Sequence, residues 1–240
     1  MLVKILVLTF VITYVTAAIP SYIHVCGRKD PNIDKCVVNS IDYLRSKICE
    51  GIPEMNVTPL RLFHVSKLII SDTDNAKLYL KDMQIFKLCD FVINNLHIDL
   101  DKNNFSIQVL FKDIFVNATY DFDIRVLVPI TTTGQVSLSA GDVNADLSIE
   151  MKIVRKNGKK HIYISKLTIN LIPKEFNFKF EHNDSDQMQD IIANFMGSNT
   201  QEVLATIKPP IEKALSETII SMGNNIVKHF TYDELFPDQL

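Results

Sequence analysis

Between residues 143 and 153 apolar and polar side chains alternate without interruption. Val143, Ala145, Leu147, Ile149, Met151 and Ile153 interleave with Asn144, Asp146, Ser148, Glu150 and Lys152. A period of two puts the first set on one face of an extended chain and the second on the other. A strand this long, dry on one face and wet on the other, needs a large apolar surface to cover it. The same period recurs from about Leu60 to Phe180. Leu96, Ile98 and Leu100 alternate with acidic residues and His97, and Tyr120, Phe122, Ile124, Val126 and Val128 continue the pattern. Asn157-Gly158 marks a tight hairpin, after which Leu167, Ile169 and Leu171 and then Phe176, Phe178 and Phe180 repeat it. Between Ala140 and Val143, beside Gly141, the apolar phase slips by one residue, which predicts a β-bulge. Long antiparallel strands with bulges curl.

Both flanks of this region read as helix. Near the N-terminus Asp30 is placed to cap and Pro31 to open a helix in which Val37, Ile41, Leu44 and Ile48 recur at helical spacing. Gly51 and Pro53 end it. At the other end Asn199 and Glu202 resemble a capping box. Leu204, Ile207, Ile211, Leu215, Thr218, Met222 and Ile226 then form one stripe. Pro209-Pro210 lies inside this run and predicts a kink or a division. The predicted class is α+β: a highly curved antiparallel sheet wrapped around a long C-terminal helix. Side chains can fill the space between them, or an elongated apolar cavity can remain. If a cavity remains, Val143, Leu147, Ile149 and Met151 with Phe176, Phe178 and Phe180 should face Leu215, Ile219 and Met222 across it.

The first 18 residues carry one charge, Lys4, then an apolar run from Ile5 to Val15 and the small residues Thr16, Ala17 and Ala18. This predicts a signal peptide at 1–18, too short to span a bilayer, and a single exported domain over 19–240. Loss of Lys4 leaves 24 basic and 28 acidic side chains. Arg155, Lys156, Lys159 and Lys160 flank a turn, so no basic surface points to nucleic acid. Four sequons, at Asn56, Asn104, Asn117 and Asn183, are candidate glycosylation sites and should be exposed if used. In an exported chain the even count of cysteines, at 26, 36, 49 and 89, favours disulfides. Cys26 and Cys36 are close enough in sequence to tie the N-terminal arm to the first helix. Cys49 and Cys89 are a second candidate pair, whose geometry the sequence does not fix.

No motif for catalysis, metal or cofactor is present: no GxSxG, HExxH, phosphate-binding glycine loop, GxGxxG or CxxC. Asp99 with Asp101, and Asp121 with Asp123, are paired carboxylates on the wet face of a strand. They read as solvated surface, and the reading is of a non-enzyme without cofactor.

Three stretches together resemble the insect takeout and haemolymph juvenile-hormone-binding family. They are Cys26 and Cys36 followed by Gly51-Ile52-Pro53-Glu54, then Val128-Pro129-Ile130-Thr131-Thr132-Thr133-Gly134, and the closing Phe230-Thr231-Tyr232-Asp233-Glu234-Leu235-Phe236-Pro237. In the second, Thr132 replaces the first of two family glycines and Gly134 keeps the second. The resemblance implies a tubular roll with a lengthwise apolar tunnel and a Cys26–Cys36 disulfide. It also implies carriage of juvenile hormone or another terpenoid or fatty-acid-like ligand, by a monomer in haemolymph or a sensory secretion, without integral membrane association. Some members are tied to biological rhythms or feeding. The absence of a cysteine after Cys89 places the chain nearer the takeout branch. The alternative reading is a lipid-surface protein or an odorant or pheromone scavenger. The acidic charge and the lack of a basic amphipathic face argue against a lipid surface.

Overall fold

The computed structural model describes residues 19–125, 129–181 and 200–238. The predicted signal peptide, Val126, Val128, Asn183 and Asn199 lie outside the described residues, as does the side chain of Glu202. Helix α1 spans Ile33–Glu50 and is followed by a short 3₁₀ turn at Pro53–Met55. Seven strands come next: β1 Leu62–Asp72, β2 Ala76–Phe86, β3 Phe91–Asp99, β4 Asn104–Arg125, β5 Pro129–Lys156, β6 Lys159–Ile172 and β7 Glu175–Glu181. Helix α2, Thr200–Val227, and the single turn α3, Tyr232–Leu235, close the chain.

All pairings are antiparallel, and the spine is β4 against β5, 22 and 28 residues long. Each spine strand changes its outer neighbour halfway. The first half of β4 pairs with β3 and the second with β2, while β5 pairs first with β7 and then with β6. The change falls at the same level, near Lys112 and Asp142. There the inner face of β4 passes from Phe111 to Ile114 and that of β5 from Ala140 to Val143.

The predicted phase slip is therefore present, but it is not a bulge. The β4–β5 register runs unbroken through Phe111↔Val143 and Ile114↔Ala140. Asp142 instead takes a positive φ of 43°, and both strands turn over together. Its carboxylate accepts from Lys112 Nζ at 2.8 Å and Lys174 Nζ at 3.3 Å, which hold it below the ordinary carboxylate range. True register shifts occur elsewhere, between Ile69 and Ser71 in β1, Lys81 and Gln84 in β2, Ile93 and Asn95 in β3, and Glu150 and Met151 in β5. Repeated shifts add twist to an already twisted sheet.

The sheet order runs β1-β2-β4-β5-β6, and α2 packs on β6 and on β1, the two ends of that order. The sheet is thus rolled around the helix, as expected from the sequence. Edge strands expose unpaired backbone groups, and α2 covers those of β6 with side chains. Glu212 Oε1 accepts from Leu171 N at 2.7 Å, Ser216 Oγ donates to Leu167 O, and Asn224 bonds both backbone groups of Ile164. At β3, Asp34 of α1 does the same, accepting from Ile98 N at 2.9 Å.

The expected start of α1 is corrected, and of the two outcomes expected at Pro209-Pro210 the division does not occur. Helix α1 starts at Ile33 behind Asn32, and Asp30 accepts instead from Asn32 N at 2.8 Å, a local turn that holds Pro31 outside the helix. Pro209 and Pro210 do not divide α2, which runs continuously through both. Pro209, Ala205 and Thr206 lie on its exposed side, where water reaches backbone groups that a proline frees.

Candidate ligand-binding interior

Between β1, β2 and α2 lies a small apolar cavity that is partly open. Its walls are Phe63, Val65 and Leu68 from β1, Met83 and Ile85 from β2, and Ile211, Ala214 and Leu215 from α2. The cavity holds about 20 Å³, room for a single water-sized group. Ligand pockets are typically about 300–1,000 Å³. The packing around it is nonetheless incomplete: no described side chain of α2 is fully buried, although Ile211, Ala214, Leu215 and Met222 all pack against the main core cluster. A second hollow of about 470 Å³ lies at the surface beside Cys89, bordered by Arg61, Phe86, Lys87, Asp90 and Phe115. Its mixed charges do not make an apolar enclosure.

Of the residues picked from sequence, Phe178, Phe180, Leu215 and Met222 meet around one cluster with Ala118, Tyr120 and Val136. Phe176 stacks edge-on against Phe178 at 4.3 Å, and the Phe180 ring meets Tyr120 edge-on at 5.4 Å. Val143 is buried, and Leu147 and Ile149 are half-buried on the same side of β5. Met151 goes elsewhere, into a cluster with Ile162, Tyr232 and Phe236 at one end of the roll. Ile219 is 36% exposed, although its spacing of four from Leu215 and three from Met222 sets it on the same helix face: it lies on the flank of that stripe, which the sheet does not cover. The cavity walls from β1 and β2 were missed by the sequence reading. Phe63 and Val65 share a phase that slips before Leu68, and Leu78 and Leu80 share one that slips at Asp82, so neither strand shows an unbroken alternation.

Tyr120 has no exposed surface, and Gly134 stands opposite it across the β4–β5 ladder. A Cβ at Gly134 would lie 2.7 Å from the Tyr120 hydroxyl and 2.9 Å from Glu181 O. The ring therefore lies flat over backbone, and this is the physical requirement for glycine at that position.

The closing motif seals one end. Thr231 and Glu234 form a capping box, with Glu234 N bonded to Thr231 Oγ1 at 3.2 Å and Thr231 N to Glu234 Oε2 at 2.6 Å. The bond from Thr231 N, and after it one that Thr231 Oγ1 donates to the same Oε2 at 2.7 Å, hold the Glu234 carboxyl below the ordinary carboxylate range. Tyr232 and Phe236 are buried, and the Arg28 guanidinium lies 4.8 Å over the Tyr232 ring. Arg28 also donates from Nε to Phe236 O at 2.8 Å and pairs with Asp233. The arm that carries Arg28 is fixed to α1 by the Cys26–Cys36 disulfide, and Cys49–Cys89 ties the end of α1 to the β2–β3 turn. Both pairs have Cα atoms 5.9 Å apart.

The wet-face carboxylates are engaged by cations: Asp121 with Lys81, Asp123 with Arg125, Asp99 with Lys102. Among the described residues no group of three or more His, Cys, Asp or Glu side chains could hold a metal, and no helix is long and apolar enough to cross a membrane. Asn56 and Asn117 are exposed and Asn104 is half-buried.

A model of the haemolymph juvenile hormone binding protein family matches residues 5–237. The chain belongs to that family. Haemolymph juvenile hormone binding proteins are a family of binding proteins, not enzymes. Takeout 1 of Epiphyas postvittana has the same fold, with a TM-score of 0.74 at 20% identity over 89% of this chain and 99% of its own. A putative beta-carotene-binding protein of Schistocerca gregaria is 20% identical over 215 residues, 86% of this chain and 85% of its own. Membership of this family supports a hydrophobic ligand-binding carrier, and Takeout 1 shows the fold.

Proposed function

We propose that this member of the family is an exported monomeric carrier that encloses one terpenoid or fatty-acid-like molecule between α2 and the inner face of the sheet. The observation that carries the reading is the apolar, incompletely packed contact between α2 and β1–β2, where every side chain around the cavity is hydrocarbon or thioether. Binding there would draw on apolar burial at about 25 cal/mol per Å², reduced by the entropy of association. A ligand larger than the 20 Å³ cavity requires α2 or β1–β2 to move outward. Met83 lines that space and Met222 packs against the same core cluster, and both repack at low cost. The population of the wider state then scales the observed affinity.

Export is supported by the Lys4–Ala18 segment and by two disulfides, which persist in oxidising compartments. The exposed Asn56 and Asn117 are the favoured glycan acceptors. The test is a native mass spectrum of protein secreted by insect cells, with displacement of a fluorescent apolar probe by C15–C18 terpenoids and fatty acids. A co-purified lipid, or displacement lost in a folded Phe178→Asp variant, is the expected result. Protein that emerges empty and binds none of these molecules overturns the reading.

A further inference from the structure

Among the described residues one buried side-chain polar atom has no hydrogen-bond partner: Oγ1 of Thr132, a residue 6% exposed. Its neighbour Thr133 is exposed and could be served by water, yet its hydroxyl donates to Tyr120 O at 2.8 Å. The hydroxyl with access to water is satisfied, and the one without is not.

The strand places Thr132 on the inside. Val136, four residues on and therefore on the same face of β5, belongs to the core cluster with Phe178 and Phe180. Across the ladder Thr132 pairs with Phe122, which pairs in turn with Leu78, so its two nearest row neighbours are apolar; the hydroxyl of Ser71, at the far end of the row, donates to Ala76 O. A hydroxyl in such a place is destabilising relative to valine, which has the same branched shape and β preference. Neither packing nor strand propensity accounts for threonine there.

We propose that Thr132 Oγ1 is the hydrogen-bonding anchor for the polar end of the carried molecule. This rests on the carrier reading and narrows it. The ligand is a long apolar molecule with one uncharged oxygen at its end, such as an alcohol, aldehyde or ester. One neutral hydroxyl does not compensate the desolvation of a carboxylate, so a free acid is disfavoured.

Two probes with one skeleton separate the cases: farnesol, and the hydrocarbon farnesene, each competed against N-phenyl-1-naphthylamine. A hydrogen bond of ordinary net strength predicts that Thr132→Val weakens farnesol roughly three- to tenfold and leaves farnesene unchanged. Thr132→Ser, which keeps the hydroxyl, should retain most of the farnesol affinity. Without ligand, Thr132→Val should melt at the same temperature as wild type or higher. Equal loss for both probes, no loss for either, or a lower melting temperature of unliganded Thr132→Val would each overturn the anchor. Wild-type protein that binds neither probe removes the carrier reading itself.

Discussion

Asn224 takes the place of a neighbouring strand for Ile164. Its Oδ1 accepts from Ile164 N at 2.8 Å and its Nδ2 donates to Ile164 O at 3.0 Å, so a side-chain amide on α2 completes the pattern that the β6 edge leaves open. The helix that fills the roll also closes it.

Replacing Asn224 by alanine removes both bonds and leaves a half-buried edge unpaired. At about 0.5–1.5 kcal/mol for each bond, the expected cost is about 1–3 kcal/mol in urea unfolding. Hydrogen exchange at the Ile164 amide should quicken more than at strand centres. Unchanged exchange there would show that α2 does not hold this edge.

Two glycine-to-alanine substitutions should behave in opposite ways. At Gly223 a Cβ would come within 2.5 Å of Ile164 Cδ1, the far end of a flexible side chain that can turn aside. The helix gains about 1 kcal/mol of propensity, so the net change should lie within about 1 kcal/mol of zero. At Gly134 the obstacles are the Tyr120 ring and the Glu181 carbonyl, neither free to move, and the cost should be about 1–3 kcal/mol or more. Thermal melts of the two variants check the contrast, which fails if Gly134→Ala is the better tolerated.

The Glu234 carboxyl binds a proton more weakly in the folded chain than in the unfolded one, because it accepts from Thr231 N and Oγ1. Its contribution to stability is complete above the ordinary carboxylate pKa of about 4 and falls away as pH drops through the lower folded value. Glu234→Gln should be less stable than wild type at neutral pH, and the difference should narrow on acidification. Urea titrations at pH 7, 5 and 3 measure it, and a gap that widens in acid contradicts the assignment.

The two disulfides should differ in weight. Cys49–Cys89 spans 40 residues and Cys26–Cys36 spans 10. The chain-entropy model gives about 4 and about 3 kcal/mol respectively. Double serine variants compared by urea unfolding should rank in that order. The reverse order would point to residual structure in the reduced unfolded chain.

The strands, both helices and the curl were legible in residues 30–230, because burial on one face imposes a period of two on a strand and 3.6 on a helix. Tyr120, Phe178, Leu215 and Met222 could be assigned to the interior on that ground alone. The closing motif was legible as a family mark, while its work of seating Tyr232 and Phe236 under Arg28 was not.

Sequence by itself determined which face is dry where the alternation is unbroken, as over residues 143–153 of β5, because that depends only on neighbours a few positions away along one chain. Tertiary structure decided which dry faces meet. It sent Met151 to the end of the roll, left Ile219 at the surface and brought β1 and β2 to the cavity, where the inner face changes phase beside Asp82, at its positive φ and the β2–β4 register shift between Lys81 and Gln84. It also decided that Thr132 is buried without a partner, since whether a hydroxyl finds one depends on strands far apart in the chain. Pairing between distant strands has no periodic signature in sequence, and only the folded packing fixes it.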